Sequence, residues 1–172
     1  MERGVDFLRS QVSNAVAVHR AFLRALEDHE SQSRDERYRA LCVKFIPRVL
    51  EHQRMLEQYQ HALGTTEGLV KMAAGLALGV ARDLADVVRE DDFARLAGDI
   101  VMGRQLEDTF KTFREAGRSL GLQQLARIGE VGERDHDEYV KEANRLIQQL
   151  FAERIQGAEQ QVRAVEQPMS GA

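Results

Sequence analysis

The sequence predicts an all-α protein, a four-helix bundle, and three observations carry that expectation. Apolar residues recur at three- and four-residue spacing through most of the chain, which is the period of one helix face and not the alternation of a strand. Apolar residues make up 43% and charged residues 30%, with no Trp and only two Pro, so little interrupts long helices and little favours a sheet. The segments that break the period are short and carry Gly, Ser and Asp, as helix connections do. At 172 residues the chain fits one domain, and a domain of that size buries roughly 70% of its unfolded surface.

The first helix is expected from about Val5 to Glu30, because Leu8, Val12, Ala15, Val16, His19, Phe22, Leu23 and Leu26 form one stripe. Ser33-Arg34-Asp35-Glu36 reads as a capping box in which Ser33 caps the second helix and Glu36 reaches back to it. So short a connection makes the two helices an antiparallel hairpin. The second helix continues through Leu41, Phe45, Val49, His52, Leu56 and Tyr59 to about Leu63, with Pro47 expected to kink it and Gly64 to end it.

Residues 64–68 read as a linker, followed by a third helix from about Leu69 to Arg89. Its apolar run, Met72 to Ala81, falls short of the roughly 20 residues a membrane span needs, and Arg82, Asp83 and Asp86 close it. Gly75 and Gly79 mark a face suited to close packing. A fourth helix is expected from Asp92 to about Ala116, with Phe93, Leu96, Ile100, Gly103, Glu107 and Phe110 as its stripe. A turn over Gly117–Gly121 then leads to a fifth helix from about Leu122 to Val162. Residues 1–163 are therefore expected to form a single bundle of two antiparallel hairpins with an extra helix in the long crossover, and 164–172 a flexible tail.

Charge excludes several functions. Lys and Arg total 24 against 28 Asp and Glu, and the net charge of −4 is dispersed along every helix, which gives no footprint for nucleic acid or an anionic membrane. The single Cys42 excludes an intrachain disulfide and reads as core, and with no charged-then-apolar leader the expected compartment is the cytoplasm. No Gly-rich phosphate loop follows a strand and no Cys-x-x-Cys is present, so no catalytic residue is assigned.

Metal ligation is the chemistry that the stripes suggest. Glu133 and His136 lie one helical turn apart on the apolar face of the fifth helix, where a carboxylate and an imidazole require compensation by a metal or by a buried polar network. If the last turn is centred near Leu120, Glu107 and Glu133 fall at one level. Glu51 and His52 are the corresponding pair on the second helix, and His19 is the buried polar candidate on the first. With the first turn centred near Ser33, however, Asn14 and Ala15 should be level with them and His19 about a turn away. The competing structural roles are ion pairs of Glu107 with Arg104 or Lys111 and of Glu133 with Arg127 or Arg134, and a core histidine at position 19. Asp135, Asp137 and Glu138 are expected in solvent, and Tyr59 and Tyr139 in packing.

The order hairpin, long crossover, hairpin, together with Arg104-Gln105-Leu106-Glu107 and Glu133-Arg134-Asp135-His136, resembles the ferritin-like superfamily, and within it small bacterial proteins of unassigned role. The resemblance covers about Leu8 to Leu150. It implies a centre for iron, manganese or zinc built from a Glu on each of two helices and Glu-x-x-His on each of the other two. Glu107, Glu133 and His136 match half of that set, whereas Gln53, Arg54 and Met55 after Glu51-His52 break the second motif. Two functions follow as expectations. The first is a non-catalytic or degenerate ferritin-like bundle, stress-associated, acting as a binding or oligomerisation module that pairs with its own copies through the Gly75–Gly79 face or the fifth helix. The alternative is binding of iron, manganese or zinc by Glu107, Glu133, His136, Glu51, His52 and His19, with oxidation or storage of the metal.

Overall fold

The structure, a computed structural model, describes residues 2–64 and 91–166. They form α1 (Glu2–Gln32), α2 (Glu36–Ala62), α3 (Asp92–Leu120), α4 (Gln123–Gln156) and α5 (Glu159–Glu166). The helix expected over Leu69–Arg89, with Gly75 and Gly79, and the end of the tail lie outside the described residues.

Local chemistry sets most boundaries. Asp35, not Ser33, caps α2: its carboxylate accepts from the backbone N–H of Arg37 and Tyr38, while the Ser33 hydroxyl donates to the Asp35 carbonyl. A carboxylate directly before the first turn meets both the unpaired N–H groups and the positive end of the helix dipole, which a hydroxyl two residues further out does not reach. Asp92 locks this turn to α3 by accepting from the backbone N–H of Arg34 and Asp35. α2 runs through Pro47 and ends before Gly64, whose φ of +67° favours glycine. At the other hairpin α3 continues to Leu120, and Gly121 turns the chain at φ +69°. The expected single last helix is interrupted at Gly157, and α5 then extends to Glu166, past the point where a tail was expected.

The four long helices close a ring, α1 beside α2 and α3, and α4 beside α2 and α3. Direction follows from the pairings. Arg37 reaches Glu153, Lys44 reaches Glu138 and Glu142, and His52 reaches Asp135, so α2 and α4 are antiparallel. His29 near the end of α1 meets Asp99 near the start of α3, so these are antiparallel too. Arg9 holds the Leu63 carbonyl at one end of the bundle, and Asp92 holds Arg34 at the other, so the chain leaves α2 and enters α3 at opposite ends. The core runs along the axis through Val12, Phe22, Leu26, Phe45, Leu56, Leu96, Leu106, Phe110, Leu125 and Val140, with Cys42 buried beside it. Among the described residues no helix is long and apolar enough to cross a membrane.

Candidate metal centre

Halfway along the axis each long helix contributes one ring: His19 from α1, His52 from α2, Phe110 from α3 and His136 from α4. All four are at most 2% exposed, which excludes bulk solvent from the space they enclose. The imidazole centroids lie 5.3 Å (His19 to His136), 5.5 Å (His52 to His136) and 5.9 Å (His19 to His52) apart, and Phe110 stands 5.0 to 5.8 Å from each. One ring nitrogen of each histidine comes within 4.8 Å of one from each of the others, and no further such group occurs among the described residues.

The hydrogen bonds on the outer sides of the rings fix the inner ones. His136 Nδ1 faces the Gly132 carbonyl at 2.8 Å, an acceptor, so Nδ1 carries the proton. His52 Nε2 faces the Asp135 carboxylate at 3.1 Å and likewise donates. His19 Nδ1 faces Oε1 of Gln53 at 2.9 Å, and the Gln53 amide cannot be turned round, because its nitrogen already donates to the Glu57 carboxylate and the Val16 carbonyl. Each neutral imidazole is therefore left with one lone pair, on His19 Nε2, His52 Nδ1 and His136 Nε2, and these buried atoms have no hydrogen-bond partner. A ring N–H held by a carboxylate or carbonyl while the other nitrogen faces inward is the arrangement found around metal-ligating histidines.

Electrostatics keeps the rings neutral. Burial, with the neighbouring imidazoles, holds His19 well below the ordinary histidine range and His136 down to about 3. Burial also lowers His52, although Asp135 opposes it. Asp135 itself is held below the usual carboxylate range: burial works against ionisation, but hydrogen bonding to Arg134 and the proximity of His52 outweigh it.

The carboxylates expected as ligands stand elsewhere. Glu107 pairs with Arg104 on its own helix, Glu133 with Arg114 of α3, and Glu51 is exposed and faces Arg54. Each carboxylate is paired with an arginine, Glu51 in solvent, Glu107 partly exposed and Glu133 with its Oε2 buried against Arg114, so that none is left as an uncompensated buried charge. His19 meets His52 although its Cα is offset by most of a turn along the axis. It lies thirteen residues before the end of α1 and His52 sixteen after the start of α2, an axial offset of about 4 to 5 Å at the helical rise. Side chains tilt toward the N-terminus of their own helix, so in an antiparallel pair these two lean toward each other and close the gap.

Asp135, expected in solvent, is 7% exposed and supports His52, with Arg134 at 2.8 Å and Arg48 at 3.9 Å. Its signal in the sequence was position alone, directly before His136 and on the side of α4 that turns toward α2. Gln53 and Phe110 carry no sequence signal as parts of the site: Phe110 belongs to an apolar stripe, and Gln53 follows His52 directly.

A second polar layer lies nearer the α1–α2 turn and again draws on all four helices. Asp99, fully buried, accepts from the Tyr38 hydroxyl at 2.5 Å and from His29 Nδ1 at 2.9 Å, and the Tyr139 hydroxyl approaches it without a well-aligned hydrogen bond. Tyr139 packs edge-on against Phe22 and Phe45, as expected of a packing residue. Comparisons of the chain with protein-family models, with curated proteins and with solved structures returned no match, so the family resemblance rests on helix order and the motifs alone.

Proposed function

We propose that this protein binds one transition-metal ion on the bundle axis through His19, His52 and His136. The observation that carries the reading is the convergence of three buried imidazoles whose outer nitrogens are committed as donors and whose inner lone pairs have no partner. Each unpaired buried acceptor costs about 1 to 3 kcal/mol, and lone pairs turned toward one another repel, so a cation between them relieves both penalties. Three neutral nitrogen donors suit zinc, copper, iron or nickel and do not suit magnesium, calcium or manganese, which prefer oxygen. With Glu107, Glu133 and Glu51 engaged by arginines, a carboxylate-bridged centre for oxidation or storage has less support than a mononuclear one. The ferritin-like assignment is retained within this proposal, supported by α2 and α3 ending and starting at opposite ends of the bundle.

Elemental analysis of protein purified without chelators, with melting curves in added Zn(II), Co(II) or copper, tests the reading. One ion per chain is expected, and at 100 times Kd mass action should raise Tm by about 5 to 10 °C. His19→Ala and His136→Ala should abolish the rise. Absence of both ion and shift rejects metal binding. A second reading, the self-associating module, is favoured by exposed Phe151, Ile155 and Val165 along α4 and α5, and a concentration-dependent mass in sedimentation would support it.

A further inference from the structure

Resting on that reading, we propose that the ion this site selects is monovalent copper, held by three imidazoles with Phe110 closing the fourth side. The first argument is charge. All three donors are neutral, and the nearby carboxylates already have cationic partners: Asp135 has Arg134, with Arg48, which chiefly holds Glu138, at 3.9 Å, and Glu133 has Arg114, which it shares with Glu115. A bound ion therefore keeps its full charge in a dry core. Because the desolvation cost grows as the square of the charge, a dication costs about fourfold more than a monocation of the same size, with no anionic ligand to offset it.

Coordination number gives the second argument. Zinc completes a tetrahedron, and on three protein ligands its fourth position is taken by water. Here that position belongs to α3, which presents the Phe110 ring 5.0 Å from His136, 5.7 Å from His19 and 5.8 Å from His52. A buried water needs two to four polar partners, and a phenyl ring supplies none. Gly132 leaves room for Phe110 in this place, since a Cβ there would lie 2.4 Å from the ring. Monovalent copper, with a filled d shell, is satisfied by three nitrogen donors in a trigonal arrangement, and an aromatic ring beside a monocation is attractive.

The test is an anaerobic competition of the full chain against a chromophoric Cu(I) chelator, with parallel titrations of Zn(II) and Co(II) and X-ray absorption of the copper-loaded protein. One Cu(I) per chain is expected, bound more tightly than Zn(II), with three nitrogen neighbours. Phe110→His, which offers a fourth imidazole, should strengthen Co(II) binding and bring up the intense visible absorption of four-coordinate cobalt. Tighter binding of Zn(II) or Co(II) than of Cu(I) by the native chain, or four light-atom neighbours around copper, overturns the copper assignment and leaves metal binding standing. Binding of no ion at all overturns both.

Discussion

At the scale of single residues, the site depends on acceptors that stand behind the imidazoles. Asp135 shows this most directly, because a carboxylate can only accept from His52, whereas an amide has a choice. In Asp135→Asn the carbonyl oxygen would turn to Arg134, which has only donors, and the amide N–H to His52 Nε2. His52 would then carry its proton on Nδ1, inside the cluster, and one of three lone pairs would be lost. Metal affinity should fall about 10- to 100-fold with the fold intact, and ring-nitrogen NMR should report the exchanged tautomer; unchanged affinity would mean that His52 is not a ligand. Tyr38→Phe addresses the other polar layer. It removes the 2.5 Å donor from buried Asp99 and should cost about 1 to 3 kcal/mol in chemical denaturation without altering metal affinity. Much of this was legible in the sequence at the level of stripes, which placed His19, His52 and His136 inward. Ion-pair partners from another helix were not legible: Glu133 is claimed by Arg114, whose position relative to α4 depends on the crossing of two helices and on no spacing within either.

Among the elements, α3 and α4 make the closest approach, and glycines permit it. A Cβ on Gly129 would stand 2.2 Å from the backbone nitrogen of Arg114, and one on Gly117 would stand 2.4 Å from that of Ala126. Neither contact can be relieved by turning a side chain, so Gly129→Ala must separate the helices, at a cost of about 2 to 4 kcal/mol. Gly157→Ala is the control: that residue has helical φ and ψ and open space around its Cα. It should be neutral or stabilise by up to about 1 kcal/mol, and guanidinium midpoints of the two variants measure the contrast. Among the described residues the four long helices and their order were readable from period and turn composition, and helix ends, including the break at Gly157, were not. Ser33 and Asp35 both fit a cap by residue type, and the choice fell to the one whose carboxylate reaches two backbone N–H groups. The meeting of His19 with His52 is hidden from the sequence for a related reason, since counting residues from a turn gives the level of Cα atoms and not the opposite tilt of side chains on antiparallel helices.

For the molecule as a whole, three neutral histidines at the centre make stability depend on pH in a direction that can be worked out. The folded chain holds His136 near 3, below the ordinary value of 6.5, and holds His19 and His52 below theirs, so above about pH 6.5 neither the folded nor the unfolded chain protonates them and their contribution is complete. As pH falls below that point the unfolded chain takes up protons that the folded chain refuses. Stability therefore declines, by about 1 kcal/mol per pH unit for each such histidine, until the folded pKa is reached. The three histidines come from α1, α2 and α4, so their protonation is resisted across both hairpins and not by one alone. Denaturation curves between pH 7 and pH 4 should show this loss in the metal-free chain, and His136→Gln should reduce the slope by the share of one histidine, leaving that of His19 and His52. Loading the site leaves this slope unchanged until the folded values are approached, because above them a ligating nitrogen is already free of its proton when the ion binds. The gain in Tm from metal should thus persist below pH 6.5 and fade only toward the lowered folded values, about 3 for His136, whereas a gain lost as pH falls through about 6.5 would place the ion on ordinary histidines at the surface and away from the axis.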